Sequence, residues 1–375
     1  MMDLVHFLVI KSKRLARLNR TFILIFLCCL CFPIKTEANE WMQNIVQAEF
    51  RDIRPFKKTD VKTAWEELKE KKPYFLFYQI KNRVVYGKRN RMHALLSTIC
   101  AKYPLKDIDL IYCIHDYTPQ SVFTPDKKYP PILTSAKKVG DRNVILFADW
   151  YYDINDPNVS SQTPQVNVNP NSWGQLIPAI NAAHENTPWE DRASQMIWRG
   201  GMNGGTYTRE NWTKKPRGRL VYLSQHKQLD FLDAAFSSHD PERCSDVLYF
   251  NRMLKSSQLT PVQHVQYKYQ IDIDGVTATF TALPWKLLSG SLVFKHNSMN
   301  IMWFHYALKP FEHFIPVARY LKDLPDQVMW AMEHDKEAQK IAANGREFAL
   351  THLMPEHILL YCYLVLSKYA SLQTK

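Results

Sequence analysis

Apolar and polar residues alternate over 267–273 (YKYQIDI) in the manner of a strand, and Asp274-Gly275 behind it marks a tight turn. Residues 280–288 form an apolar segment of helical length that stops at Ser289-Gly290. Short apolar runs follow at 291–294 and 313–317, the second after Lys309-Pro310. The succession strand, turn, helix, strand, helix, strand predicts an α/β domain with a largely parallel sheet. Ligands of such a domain gather at the carboxyl ends of the strands.

The same pattern recurs upstream. Residues 74–80, 108–114 and 144–147 read as strands, and 92–103 as a helix with apolar residues at helical spacing. The second of these strands ends at His115-Asp116-Tyr117. Residues 41–72 are charged and predicted helical, with an amphipathic stretch around Trp65. Residues 153–174 are rich in Asn, Pro, Ser and Gln without periodicity, which predicts a long surface loop or a connection between domains. A strand at 194–198 runs into a glycine-rich loop (RGGMNGG, 199–205), and 220–231 begins the next helix. Helices at 326–333, 335–350 and 355–372 close the chain.

The first residues do not belong to this pattern. Basic residues up to Arg20 precede an apolar run over 21–34 (TFILIFLCCLCFPI), and Thr36-Glu37-Ala38 offers a cleavage site. This predicts an exported protein cut near Ala38. The run is short for a spanning helix, which needs about 20 residues; an uncleaved anchor, associating with a membrane through residues 21–34, is the alternative. Cys28, Cys29 and Cys31 are read as apolar filler within it. The expected organisation is therefore 1–38 as signal or anchor, 39–174 as one α/β domain and 175–375 as a second.

At 375 residues and 46% hydrophobic, the chain is long enough for two cores, and its low glycine content and lack of repeats exclude fibrous and solenoid classes. The net charge is +12, of which six Lys/Arg and two acids within 1–38 account for +4. A globular part near +8 suits an anionic ligand such as a sugar nucleotide, although a merely basic surface gives the same number. No nucleic-acid-binding motif is present. Cys100, Cys113, Cys244 and Cys362 have no zinc-ribbon spacing and allow up to two disulfides in an oxidising compartment, with Cys113 placed in a buried strand as a free thiol. Asn158 and Asn211 fit the glycan-acceptor pattern.

Three constellations carry candidate chemistry. The loop from Trp198-Arg199-Gly200 to Pro216-Arg217 combines glycines, which let backbone approach phosphate, with arginines, which grip it through paired donors. It is neither a Walker loop nor GxGxxG. Asp116 stands at a strand end, where a carboxylate projects into a ligand crevice and can act as a general base, or simply cap a turn. Asp272-Ile-Asp274 is a DxD pair whose carboxylates share one face of a strand and are able to chelate Mg²⁺ or Mn²⁺, but the motif is short and Asp107-Ile-Asp109 repeats it.

An ordered set of residues resembles glycosyltransferase family 90, which includes capsule-associated, lipopolysaccharide-modifying and protein O-glucosyltransferase (Rumi-type) enzymes. The set is Tyr267-Lys268-Tyr269, Asp274-Gly275, Trp285-Lys286-Leu287-Leu288, Ser289-Gly290-Ser291, Lys295, Trp303, Leu308-Lys309-Pro310 and His313 through Val317. The resemblance covers roughly residues 75–370. It implies a GT-B-type fold, two Rossmann-like domains facing a cleft, with C-terminal helices packing back across both. It also implies a metal-independent enzyme without cofactor, which moves a sugar (glucose or xylose) from a UDP-sugar to a hydroxyl on a protein or glycan with inversion.

By this resemblance Asp116, followed by Tyr117, is the catalytic base. Arg199, after Trp198 and before Gly200, and Arg217 contact the donor diphosphate. Asp274 and Gly275 shape a turn near the nucleotide. Ser289, Gly290 and Ser291 line the ribose or phosphate pocket or simply make a turn. Where the animal enzymes carry Ser-Phe-Arg facing the phosphates, this chain has Thr279-Phe280-Thr281, so Lys286 or Lys295 would have to substitute. His313 is a family landmark expected to make a local hydrogen bond. The implied location is the secretory pathway or another extracytoplasmic space. The rival readings are a metal-dependent GT-A-type transferase using Asp272 and Asp274, and a catalytically inactive secreted glycan-binding protein.

Overall fold

A computed structural model describes residues 37–124, 127–142, 144–148, 173–238, 241–252 and 259–375. Residues 1–36 of the expected signal segment, most of the Asn/Pro/Ser-rich stretch and Asn158 therefore lie outside the described residues. Met42–Lys375 belong to one compact unit built around two five-stranded sheets.

The first sheet has the order Val84–Gly87, Phe75–Lys81, Ile108–Cys113, Ile132–Thr134, Val144–Leu146. Its first two joints are antiparallel and its last two parallel. Ile108–Cys113 is buried along its whole length, as its continuous apolar run demands. The hairpin strand Val84–Gly87 and the short strand Ile132–Thr134 were not expected. The hairpin has no Asn-Gly signature; instead Asn82 and Arg83 themselves adopt φ of 49° and 66°. The Arg83 guanidinium donates to the carbonyls of Cys100 and Ala101 at 2.6 and 2.7 Å, so the tight turn also closes the C-terminus of helix Arg91–Lys102.

The second sheet has the order Ile315–Val317, Leu292–His296, Tyr267–Asp272, Ala193–Gly201, Leu232–Ser238, and every joint is parallel. The turn between helix Ala282–Leu288 and strand Leu292–His296 needs Gly290. Its φ is 68°, and a Cβ there would lie 2.5 Å from the His184 ring. Two expectations shift. The helix placed at 220–231 runs over Pro216–Gln225, because Pro216 starts it and Leu232 already belongs to the next strand. The helix expected between Leu292–His296 and Ile315–Val317 is a single 3-10 turn, Trp303–Ala307.

Two devices tie the sheets together. Lys137–Lys138 pairs antiparallel with Asn300–Ile301, a two-stranded ribbon with one strand from each half of the chain. The last helix, Pro355–Leu372, returns across both halves, as expected: the Tyr361 hydroxyl donates to the Leu146 carbonyl at 2.9 Å while its ring stacks on Trp303. Behind it Gln373–Thr374 pairs with Phe56–Lys57, and the Gln373 amide bonds both the N–H and the carbonyl of Asp109. The charged stretch after the N-terminus is two helices, Glu37–Glu49 and Lys58–Lys71, rather than one. Cys100, Cys113, Cys244 and Cys362 are all buried free thiols, as read for Cys113, and the two disulfides that their number allowed are not formed among the described residues.

Candidate functional site

A cavity of about 250 Å³ opens at the carboxyl ends of strands from both sheets. Asp116, three residues past Ile108–Cys113, lines it from the first half. Trp198, Arg199, Gly200, Asn203, Arg217, Lys286 and the stretch from Gly275 to Phe280 line it from the second. The half-exposed Asp116 carboxylate makes no hydrogen bond or ion pair among the described residues.

Arg217, in the first turn of its helix, is gripped by backbone alone. It donates to the carbonyls of Ile273, Asp274 and Gly201 at 2.8–3.2 Å and has no carboxylate in ion-pair contact among the described residues. Its guanidinium lies over Trp198, 5.7 Å from the ring centroid. Gly275 makes room for it, since a Cβ there would sit 3.0 Å from Nη2. Burial lowers its pKa, opposed by Tyr207, Asp274 and Asp272. An arginine so placed stays charged, and that charge is held in a fixed position without a counter-ion.

The other cations differ. Arg199 is clamped to Asp233 by an ion pair of 2.8 Å and by bonds to the carbonyls of Asp233 and Trp198; only its buried Nε lacks a partner. Lys286 reaches Asp272 at 2.7 Å, and Asp272 also accepts from the Thr279 hydroxyl at 2.8 Å. Burial alone would push the Asp272 carboxyl up, but Lys286, Lys295 and the hydrogen bonds from Lys286 and Thr279 hold it below the usual carboxylate range. Burial likewise lowers Lys286, against the pull of Asp272. Asp274 accepts from the Ser298 hydroxyl and from Asn300 Nδ2, the latter at 3.0 Å, and burial raises its pKa. The DxD carboxylates thus answer protein donors on different elements rather than forming an open chelating pair. Among the described residues no group of three or more His, Cys, Asp or Glu is arranged to hold a metal ion.

Several expected residues do not line this cavity. Ser289 and Ser291 spend their hydroxyls in a buried network with Gln270, Arg192 and the carbonyls of Lys286 and Tyr267, and Gly290 serves the turn. In this structure these hydroxyls serve the turn and its buried network. Lys295 stands on the neighbouring strand opposite Asp272 and acts on the two aspartates at a distance. His313 accepts from the Lys309 N–H through Nδ1 and packs on Phe348, a structural place. Tyr117 accepts from His115 through its carbonyl and lies under Lys138, beside the cavity rather than in it. Thr281 precedes helix Ala282–Leu288 and does not line the cavity, whereas Phe280, at φ 49°, does. Sequence reasoning passed over Asn203 and the small residues Val276 and Ala278. Their only signal was membership of a glycine-rich loop and of a turn with small side chains.

The family model described as Glycosyl transferase family 90 matches residues 43–375. The chain belongs to glycosyltransferase family 90. Protein O-glucosyltransferase 2 of Danio rerio is 30% identical over 310 residues, covering 79% of this chain and 55% of that protein. Protein O-glucosyltransferase 3 of Mus musculus is 28% identical over 286 residues, covering 74% of this chain and 50% of that protein. A segment of 109 residues is 42% identical to protein O-glucosyltransferase 3 of Homo sapiens, covering 29% of this chain and 21% of that protein. The chain thus spans about half the length of the first two relatives. The α/β architecture, with one mixed sheet and one wholly parallel sheet, is the one the resemblance implied for a GT-B-type enzyme.

Proposed function

We propose that this chain is a UDP-sugar-dependent glycosyltransferase that moves glucose or xylose to a hydroxyl acceptor, a protein hydroxyl by its relatives, with inversion. The observation that carries the reading is a shared cavity lined by Asp116 from one half and Arg217 from the other. The Asp116 carboxylate takes the proton of the acceptor hydroxyl as that oxygen attacks the anomeric carbon from the face opposite UDP. The C1–O bond to the diphosphate breaks as the new one forms, and one carboxylate suffices for this single displacement. The developing charge on UDP meets the fixed guanidinium of Arg217, so the leaving group needs no proton. Lys286 adds positive potential from within its pair with Asp272.

The reaction so drawn uses no metal and no cofactor. Asp272 and Asp274 keep the floor of the donor side in shape, the role their protein partners support. Export into the secretory pathway suits the predicted signal at the N-terminus and relatives that modify proteins. Among the described residues no single helix is long and apolar enough to cross a membrane.

The test is a screen of UDP-sugars with purified protein in excess EDTA, reading UDP release with peptide and glycan acceptors. Release from UDP-glucose or UDP-xylose is expected. UDP binding without release from any donor would leave an inactive sugar-binding protein, and a strict need for added Mg²⁺ or Mn²⁺ would restore the metal-dependent reading.

A further inference from the structure

Most polar side chains that line the cavity are already in use. Arg199 is bound to Asp233, Lys286 and Thr279 to Asp272, and the Thr277 hydroxyl is buried out of reach. Subtracting these leaves Asp116, the charge of Arg217, and one side chain that no motif singles out, Asn203. Its carboxamide is exposed and makes no hydrogen bond among the described residues.

The backbone of Asn203, by contrast, is fixed on both sides. Its N–H donates to the Gly201 carbonyl at 2.9 Å, and its carbonyl accepts from the hydroxyl of fully buried Tyr207 at 3.0 Å. The Gly201 carbonyl is also the one Arg217 Nη1 holds at 2.8 Å. Gly204, at φ +96°, lets the loop pass so close to the Gly275 carbonyl that a Cβ would stand 2.8 Å from it. Asn203 Cβ and Arg217 Nη2 each lie 3.0 Å from the point where a Gly275 Cβ would be, so the two residues flank the same turn of the cavity wall, and Asn203 Nδ2 lies 3.3 Å from the point where a Gly201 Cβ would be. A side chain with a pinned backbone and an unused donor is preorganised for a ligand.

We infer that Asn203 is a donor-binding residue whose Nδ2–H donates to a diphosphate oxygen of the nucleotide sugar, beside Arg217. The inference rests on the donor-site reading above. An anionic oxygen is the natural acceptor for a neutral amide set next to a guanidinium, because the charged partner strengthens the hydrogen bond.

The experiment is calorimetric titration of UDP, with ligand-observed NMR for uridine, into wild type, Asn203→Ala, Asn203→Asp and Arg217→Ala. Asn203→Ala is expected to weaken UDP about tenfold and to leave uridine unchanged. Asn203→Asp, which sets a like charge against the phosphates, is expected to weaken UDP further. Unchanged UDP affinity in Asn203→Ala, with Arg217→Ala weakened, overturns this inference alone. An equal loss for uridine also overturns it, since the contact would then be to the nucleoside. If Arg217→Ala binds UDP like wild type, the donor-site reading fails and this inference falls with it.

Discussion

The two walls of the cavity treat charge in opposite ways. On the wall built from the all-parallel sheet, Lys286 answers Asp272, Arg199 answers Asp233, and Asp274 is held by Ser298 and Asn300. On the other wall Asp116 stands half-exposed and unanswered among the described residues. A buried charge is costly unless it is paired and hydrogen-bonded, so a wall that concentrates cations must carry its own counter-ions to survive empty. A base that has to take a proton must not spend its lone pairs on the protein. Arg217 is the exception on the cationic wall: carbonyl dipoles stabilise it without cancelling its charge. One wall therefore carries standing electrostatics, and the other offers the free carboxylate to which the proposed proton transfer is assigned.

The largest expected effect removes the free charge from the second wall. Asp116→Asn keeps the shape and deletes the base, and transfer should fall by about 10²–10⁴-fold. UDP affinity should stay at the wild-type value, because the donor is held from the opposite wall. Initial rates and a UDP titration on the same preparation decide it. A near wild-type rate breaks the comparison, and so does joint loss of rate and UDP binding, which would make Asp116 part of the donor site.

On the cationic wall the pairs themselves are the target. Lys286→Met leaves Asp272, 1% exposed, without its cation. Removing one partner of such a pair costs about 3–5 kcal/mol, read as a lowered denaturation midpoint. An unchanged midpoint would show that the Thr279 hydroxyl alone suffices for Asp272. The two arginines then separate by role. Arg217→Ala removes an uncompensated charge and should weaken UDP about tenfold or more, from a contact worth roughly 1.5–3 kcal/mol. Arg199→Ala breaks a pair internal to the fold and should lower stability more than UDP affinity. Equal losses of UDP affinity would mean that Arg199 lets go of Asp233 when the donor binds.

Much of this was legible in the sequence. The strand at 267–272, the turn at Asp274-Gly275 and the strand end before Asp116 announce themselves through alternation, a turn dipeptide and a continuous apolar run. So do the last helices, through their spacing. What stayed hidden depends on partners distant in the chain. Arg199 and Arg217 look alike as loop arginines; only the neighbouring strand Leu232–Ser238 brings Asp233 to one and not to the other. Ser289-Gly290-Ser291 reads equally as pocket or turn until Gln270 and Arg192 are seen to take its hydroxyls. Asn203 carries no periodic or motif signal at all, because its place is set by the fold of a glycine-rich loop. The Asn82-Arg83 hairpin has no turn signature because Arg83 draws its support from helix Arg91–Lys102.

The smallest expected effect sharpens the contrast through pH. His264 belongs to the cationic half: its Nδ1–H donates to the Thr260 carbonyl at 2.8 Å, and its ring meets Trp285 edge to face. Burial, together with Lys286 and Arg199 and against the Thr260 bond, lowers its pKa to about 4. In the unfolded chain the same ring titrates near 6.5. The unfolded state therefore takes up a proton that the folded state refuses, and stability is lost as pH falls from about 6.5 towards 4. Between pH 7 and pH 5 this amounts to about 1–2 kcal/mol. His264→Gln keeps an N–H for the Thr260 carbonyl without a titrating ring, and its denaturation midpoint should depend less steeply on pH across that window. If the slope of the variant matches wild type, the acid sensitivity arises elsewhere, with His352, likewise lowered to about 4 by burial, as the next residue to replace.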